Sequence, residues 1–156
     1  MIPHAFALTR PHPRRLAVLA GAAAVIAATA TSSFAASVAT IHVILDNKPS
    51  GQQVLQLDKK SVKAGKVVFD VSNISKDELH EFLVVKTPLA ADKLPMNADG
   101  TRVNESKLRN IKELGDLDPG KSGTITLNLK PGHYVLFCNQ PGHYTGGMEG
   151  NFTVTK

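Results

Sequence analysis

Three side chains near the end of the chain can do metal chemistry together. In Cys138-Asn139-Gln140-Pro141-Gly142-His143-Tyr144-Thr145-Gly146-Gly147-Met148 a thiolate, an imidazole and a thioether follow one another at spacings of five and five. Thiolate and thioether favour the cuprous ion and imidazole serves both oxidation states. A cysteine with two histidines and a long axial methionine is the donor set of electron-transfer copper sites. The loop lacks a second imidazole. His80 can supply it, in Asp77-Glu78-Leu79-His80-Glu81-Phe82-Leu83-Val84-Val85, where a polar stretch turns into an apolar strand. Alone, His80 would read as a buried, hydrogen-bonded histidine; with three complementary donors elsewhere it reads as a ligand. Zinc takes cysteine and histidine readily but is less well served by methionine, so copper ranks first.

Such donors must be held by rigid elements, and the chain is patterned for strands. From Val38 to Leu45, Ala39, Ile41, Val43 and Leu45 form one apolar face. His42 falls on the other, mixed face and reads as a partly exposed strand histidine. Turn formers fill Asp46 to Gly51, and Gln53 to Asp58 is extended again. Lys63-Ala64-Gly65-Lys66 reads as a hairpin-like turn before the alternating Val67, Phe69 and Val71. His80 stands at the mouth of the next strand. Between Lys86 and Asp118 the alternation breaks. Leu108, Ile111 and Leu114 recur every three residues, Glu105 stands four before Arg109, and Gly115 follows, so a short helix is expected over Asn104 to Leu114. Met96, beside a proline, reads as packing. Ile125, Leu127 and Leu129 face inward on a later strand. After the turn at Lys130-Pro131-Gly132, period two puts Tyr134, Leu136 and Cys138 on the inner face, with His133, Val135 and Phe137 on the other. His133 is therefore a poor ligand candidate. Seven or eight short strands with one helical excursion predict an all-β, Greek-key β-sandwich.

Over roughly residues 38 to 156 the sequence resembles the cupredoxins, the small type 1 blue copper proteins that include plastocyanin, azurin and auracyanin. Three features carry the resemblance: the strand Lys66-Val67-Val68-Phe69-Asp70-Val71-Ser72-Asn73 ahead of a strand-opening histidine, Pro131-Gly132-His133-Tyr134-Val135-Leu136-Phe137 leading into Cys138, and the Cys-His-Met loop closed by a strand from Gly150 to Thr155. The resemblance implies a cupredoxin-like fold and one copper ion, Cu(I) or Cu(II), with His80, Cys138 and His143 as trigonal ligands and Met148 as the axial one. In the family the residue after the first histidine is often an asparagine that braces the cysteine loop. Here it is Glu81, an acceptor only when ionised, and Asn139 is the expected donor to it. The family also implies that electrons pass through the edge of His143. Pro141, Gly142, Tyr144, Gly146 and Gly147, all small or uncharged, would form a docking patch around it, which Phe137 could widen.

The first 35 residues read differently. Arg10, Arg14 and Arg15 precede an Ala, Val, Leu and Ile run from Leu16 to Ala30, and Ser33-Phe34-Ala35 offers small residues for cleavage. Residues 1–35 thus read as a cleaved secretory signal peptide and 36–156 as a copper-binding domain. The apolar run is shorter than the ~20 residues that span a bilayer, so no membrane anchor is expected in the mature chain. Arg14-Arg15 fits a twin-arginine signal less well than a general secretory one.

The whole chain carries 18 bases against 13 acids. Removing residues 1–35 takes three bases and no acid, leaving 15 against 13 and a net charge near +2, which gives nucleic-acid binding no support. The only cysteine is Cys138, so no internal disulfide can form, and ligation would protect a thiol in an oxidising compartment. The expected function is that of an exported, periplasmic or otherwise extracytoplasmic, monomeric one-electron carrier docking transiently with redox proteins. The alternative is a copper carrier or copper-resistance protein. Beyond His80 and His143 the mature chain has only His42 and His133, too few for a second catalytic metal centre, so no enzyme is expected.

Overall fold

The computed structural model describes residues 38–156. The expected signal peptide and its boundary at residue 35 lie outside them.

Nine strands form two sheets. They are β1 (Ala39–Asn47), β2 (Gln53–Leu57), β3 (Ser61–Lys63), β4 (Gly65–Asn73), β5 (His80–Lys86), β6 (Lys112–Leu117), β7 (Ser122–Leu129), β8 (Gly132–Phe137) and β9 (Glu149–Thr155). One sheet runs β2-β1-β4-β7 and the other β3-β9-β8-β5-β6. The pairs β1/β4 and β3/β9 are parallel and the rest antiparallel. The chain repeatedly crosses between sheets, as a Greek-key β-sandwich requires.

Inward residues of both sheets share one core. Ile41, Val43 and Leu45 of β1 meet Val67, Phe69 and Val71 of β4 and, across the sandwich, Phe82, Leu136 and Phe152. The Phe69 ring lies 5.5 Å from that of Phe82 and 5.6 Å from that of Phe152, in tilted and edge-on contacts that aromatic quadrupoles favour. A second core covers the outer face of β5 and β8. There Leu83, Val85, Val135 and Phe137 pack under Ala91, Leu94 and Val103 of the segment joining β5 to β6. This is why β5 and β8 read as unbroken apolar runs: both of their faces are buried.

Three sequence expectations change. The helix over Asn104 to Leu114 shrinks to a 3-10 turn at Glu105–Lys107. Asn110 adopts a φ of 57°, which ends any helical path, and Lys112–Leu117 is strand β6. The three-residue recurrence instead sends Leu108 and Ile111 to the outer core and Leu114 to the inner one. The turn at Lys63–Lys66 does not make a hairpin. β3 belongs to one sheet and β4 to the other, with Gly65 at a φ of 137° where the chain crosses over. Phe137 does point away from the inner core, but it is fully buried beneath the β5–β6 segment and cannot widen a surface patch.

Candidate metal centre

β5 begins at His80, which the pairing of Leu117 with it fixes at the end of the sheet. Cys138 directly follows β8, and His143 lies in the tight turn that joins β8 to β9. Their donors converge. His80 Nδ1 lies 3.1 Å from His143 Nδ1, and Cys138 Sγ lies 3.5 Å from His143 Nδ1. All three ligand atoms fall within 4.8 Å of one another, the one such cluster of histidine, cysteine and carboxylate groups among the described residues. Met148 is fully buried and shares the inner core with Cys138.

Backbone hydrogen bonds lock the loop. The Cys138 N–H donates to the Met148 carbonyl at 3.1 Å, and the Met148 N–H donates to the His143 carbonyl at 3.0 Å. The Glu81 N–H donates to Cys138 Sγ at 3.2 Å.

Burial dominates the electrostatics of the three donors. Burial pushes the Cys138 thiol up to about 11, against backbone N–H groups of Gln140 and Glu81 that favour the thiolate. Burial, then the neighbouring His143, pulls His80 down to about 4. His143 is held low by burial, opposed by Glu78 and reinforced by Arg102. His80 Nε2 is buried with no hydrogen-bond partner. Two imidazoles and a thiol, converging through Nδ1, Nδ1 and Sγ, suit a thiophilic cation that imidazole also binds. That description fits copper.

Asn139 does not donate to Glu81. Its Oδ1 accepts from the Val103 N–H at 2.7 Å, and its Nδ2 donates to the Val103 carbonyl at 3.2 Å and to Glu105 Oε1 at 2.7 Å. The residue after the cysteine thus fastens the loop to the β5–β6 segment. Arg102, which sequence spacing did not single out, adds a bond from Nη1 to the Asn139 carbonyl at 2.7 Å, and the Gly142 N–H donates to the Thr101 carbonyl at 2.8 Å. The Glu81 carboxyl, half-buried, is pushed up to about 7 by burial and by Asp116, Glu105 and Glu113.

The expected patch divides. Pro141, Gly142 and Gly147 are exposed and Gly146 is half-buried around a His143 side chain 15% accessible. Tyr144 turns inward: its hydroxyl accepts from the Leu94 N–H at 2.9 Å and donates to the Ala91 carbonyl. His133 bonds the Thr87 carbonyl at 2.8 Å and Asn151 Oδ1 at 2.9 Å, away from the cluster, and His42 is exposed beside Asp70.

A two-sheet sandwich with a His-Cys-His cluster at one end defines a mononuclear copper protein. The chain matches the family of copper binding proteins, plastocyanin/azurin family, over residues 44–155 and belongs to that family, the cupredoxins, with one copper ion as its cofactor. A 40-residue stretch is 48% identical to auracyanin-B of Chloroflexus aurantiacus. That stretch is 25% of this chain and 17% of that protein's length. The fold matches a reduced auracyanin from the photosynthetic bacterium Roseiflexus castenholzii at 28% identity and a TM-score of 0.53, covering 75% of this chain and 97% of the other. Rusticyanin from Thiobacillus ferrooxidans, 21% identical with a TM-score of 0.52 over 74% of this chain and 77% of its own, shares the fold.

Proposed function

We propose that the protein is an exported one-electron carrier in which His80, Cys138 and His143 are the trigonal copper ligands and Met148 is the axial one. The observation that carries this reading is the closed, pre-set cluster: Nδ1 to Nδ1 at 3.1 Å and Sγ to Nδ1 at 3.5 Å, held by one strand end and one hydrogen-bonded loop. Bound copper supplies a Cu(I)/Cu(II) couple. The protein's part is to keep the donors where both oxidation states accept them, so little reorganisation accompanies electron exchange. The Glu81 N–H supports the thiolate sulfur in either state, and the inner core keeps water from Cys138 and Met148.

Electrons leave and enter at the accessible edge of His143, with Pro141, Gly142 and Gly147 as the low-charge surface on which redox partners dock briefly. Residues 1–35 direct export to an extracytoplasmic compartment and are removed, leaving 36–156 as the working monomer. Among the described residues no helix is long and apolar enough to cross a membrane.

Visible absorption and electron paramagnetic resonance of residues 36–156 titrated with Cu(II), beside Cys138→Ser, test the site. An intense thiolate-to-copper band with narrow hyperfine splitting, reversible on reduction and missing from Cys138→Ser, is the expected result. A pale complex that survives loss of Cys138, or copper passed rapidly to a competing chelator, would replace electron transfer with copper carriage.

A further inference from the structure

Glu78 is not among the proposed copper ligands, yet it is fixed in place from several sides. It lies in the loop between β4 and β5. Its carbonyl accepts from Asn73 Nδ2 at 2.8 Å and from the Ser75 hydroxyl at 2.7 Å, and Asn73 and Ser75 are both buried. Its Oε2 accepts from Gln53 Nε2 at 2.8 Å. Gln53 is buried and its own N–H donates to the Gly146 carbonyl at 3.0 Å, so the residue holding Glu78 is fastened to the ligand loop. The same Oε2 stands 3.4 Å from His143 Nε2, the ring nitrogen on the far side from Cys138 and His80.

A carboxylate beside one imidazole nitrogen favours the proton there and repels a lone pair. A histidine whose second nitrogen faces a carboxylate therefore presents its other lone pair outward in a fixed orientation. The contact is partly desolvated, with side-chain accessibilities of 15% for His143 and 34% for Glu78, so solvent screens the charge incompletely.

We propose that Glu78 is a positioning residue for His143. It keeps the proton of the neutral ring on Nε2, aims the Nδ1 lone pair at Cys138 and His80, and places a fixed negative charge at the edge of the copper site. The proposal rests on the reading of His143 as a copper ligand at the electron exit.

Two variants separate the charge from the polar group that carries it. Glu78→Gln removes the charge and keeps an acceptor; Glu78→Leu removes both. In the copper-loaded protein both variants shift the reduction potential upward, because a nearby negative charge favours Cu(II); the preference for Cu(II) over Cu(I) falls by roughly tenfold. In the copper-free protein, nitrogen-15 correlation spectra of the His143 ring show less of the Nε2–H form in Glu78→Leu than in the parent chain. Thermal melts confirm folding, and if Glu78→Leu fails to fold, the potential of Glu78→Gln decides. An unchanged potential in Glu78→Gln, or an unchanged His143 tautomer in a folded Glu78→Leu, overturns the proposal. Failure of the parent chain to form a thiolate-copper band would instead sink the copper-ligand reading, and the tautomer comparison needs no copper.

Discussion

The Glu81 backbone N–H lies 3.2 Å from the Cys138 sulfur and donates to it. Glu81 is the second residue of β5 and Cys138 the residue just past β8, and these two strands are hydrogen-bonded neighbours, with Leu83 opposite Phe137. The sheet itself delivers the donor to the sulfur. The side chain after the first histidine is not needed for that bond, which explains how a carboxylate is tolerated where the family often has an asparagine.

Glu81→Gln is therefore expected to keep the intense thiolate-to-copper band, since the sulfur's hydrogen bond comes from a backbone group the substitution leaves alone. Visible absorption of the copper-loaded variant checks this. A weakened or displaced band would assign the bracing to the carboxyl.

The β5–β6 segment is tied to the ligand loop by Asn139 and Tyr144, each through buried polar bonds. Asn139→Ala strands the Val103 N–H and carbonyl, and Tyr144→Phe strands the Leu94 N–H and Ala91 carbonyl. Each is expected to cost about 1–3 kcal/mol, the usual penalty for leaving buried groups unpaired. Denaturant melts of the copper-free protein measure it. Tyr144→Phe should leave electron-exchange rates at the surface unaltered, because its hydroxyl faces inward; slower exchange would return Tyr144 to the docking patch.

Much of this was legible in the sequence because strand alternation reports facing directly. Period two correctly sent Cys138 inward and His133 away, and Ile41, Val43 and Leu45 to the core. It could not say whether the other face was bare. Phe137 lies on that face and is covered by a segment far away in sequence, so its burial depends on tertiary packing. The false helix has the same origin: Leu108, Ile111 and Leu114 recur at helical spacing but serve two different cores, and pairing with β5 decides the conformation of Lys112–Leu117. Glu78 was invisible for another reason. No spacing rule connects a loop carboxylate to a histidine 65 residues later; only the fold brings them to 3.4 Å.

Acid should destabilise the copper-free protein in a defined window. His80 titrates near 4 when folded, against an ordinary value of 6.5, because burial and then His143 disfavour its charge. The unfolded chain therefore binds a proton that the folded chain refuses. Stability contributed by neutral His80 is complete above about pH 6.5 and is lost progressively as pH falls toward about 4. Melting temperatures of the copper-free protein across that range should fall with acid, and more shallowly in His80→Gln. Equal slopes would assign the acid sensitivity to other groups.

The loop surface can carry new charge at Thr145 but not at Gly146. A Cβ on Gly146 would sit 2.7 Å from Gln53 Cγ and 3.1 Å from the Gly142 carbonyl oxygen. Gln53 cannot retreat freely, since its side chain holds Glu78 and its N–H holds the Gly146 carbonyl. Gly146→Ala is thus expected to lower stability by about 1–3 kcal/mol, as overpacking does, and to disturb the copper spectrum by displacing His143. Thr145 is exposed, and its hydroxyl makes one solvent-facing bond to the Gly142 carbonyl at 3.0 Å. Thr145→Lys should leave the copper spectrum intact while changing the field at the proposed electron exit. Stopped-flow oxidation by an anionic and by a cationic small-molecule complex reads that field: the lysine should speed the first and slow the second, and the two effects should shrink as salt rises. Identical rates with both reagents would move the electron exit away from the His143 loop.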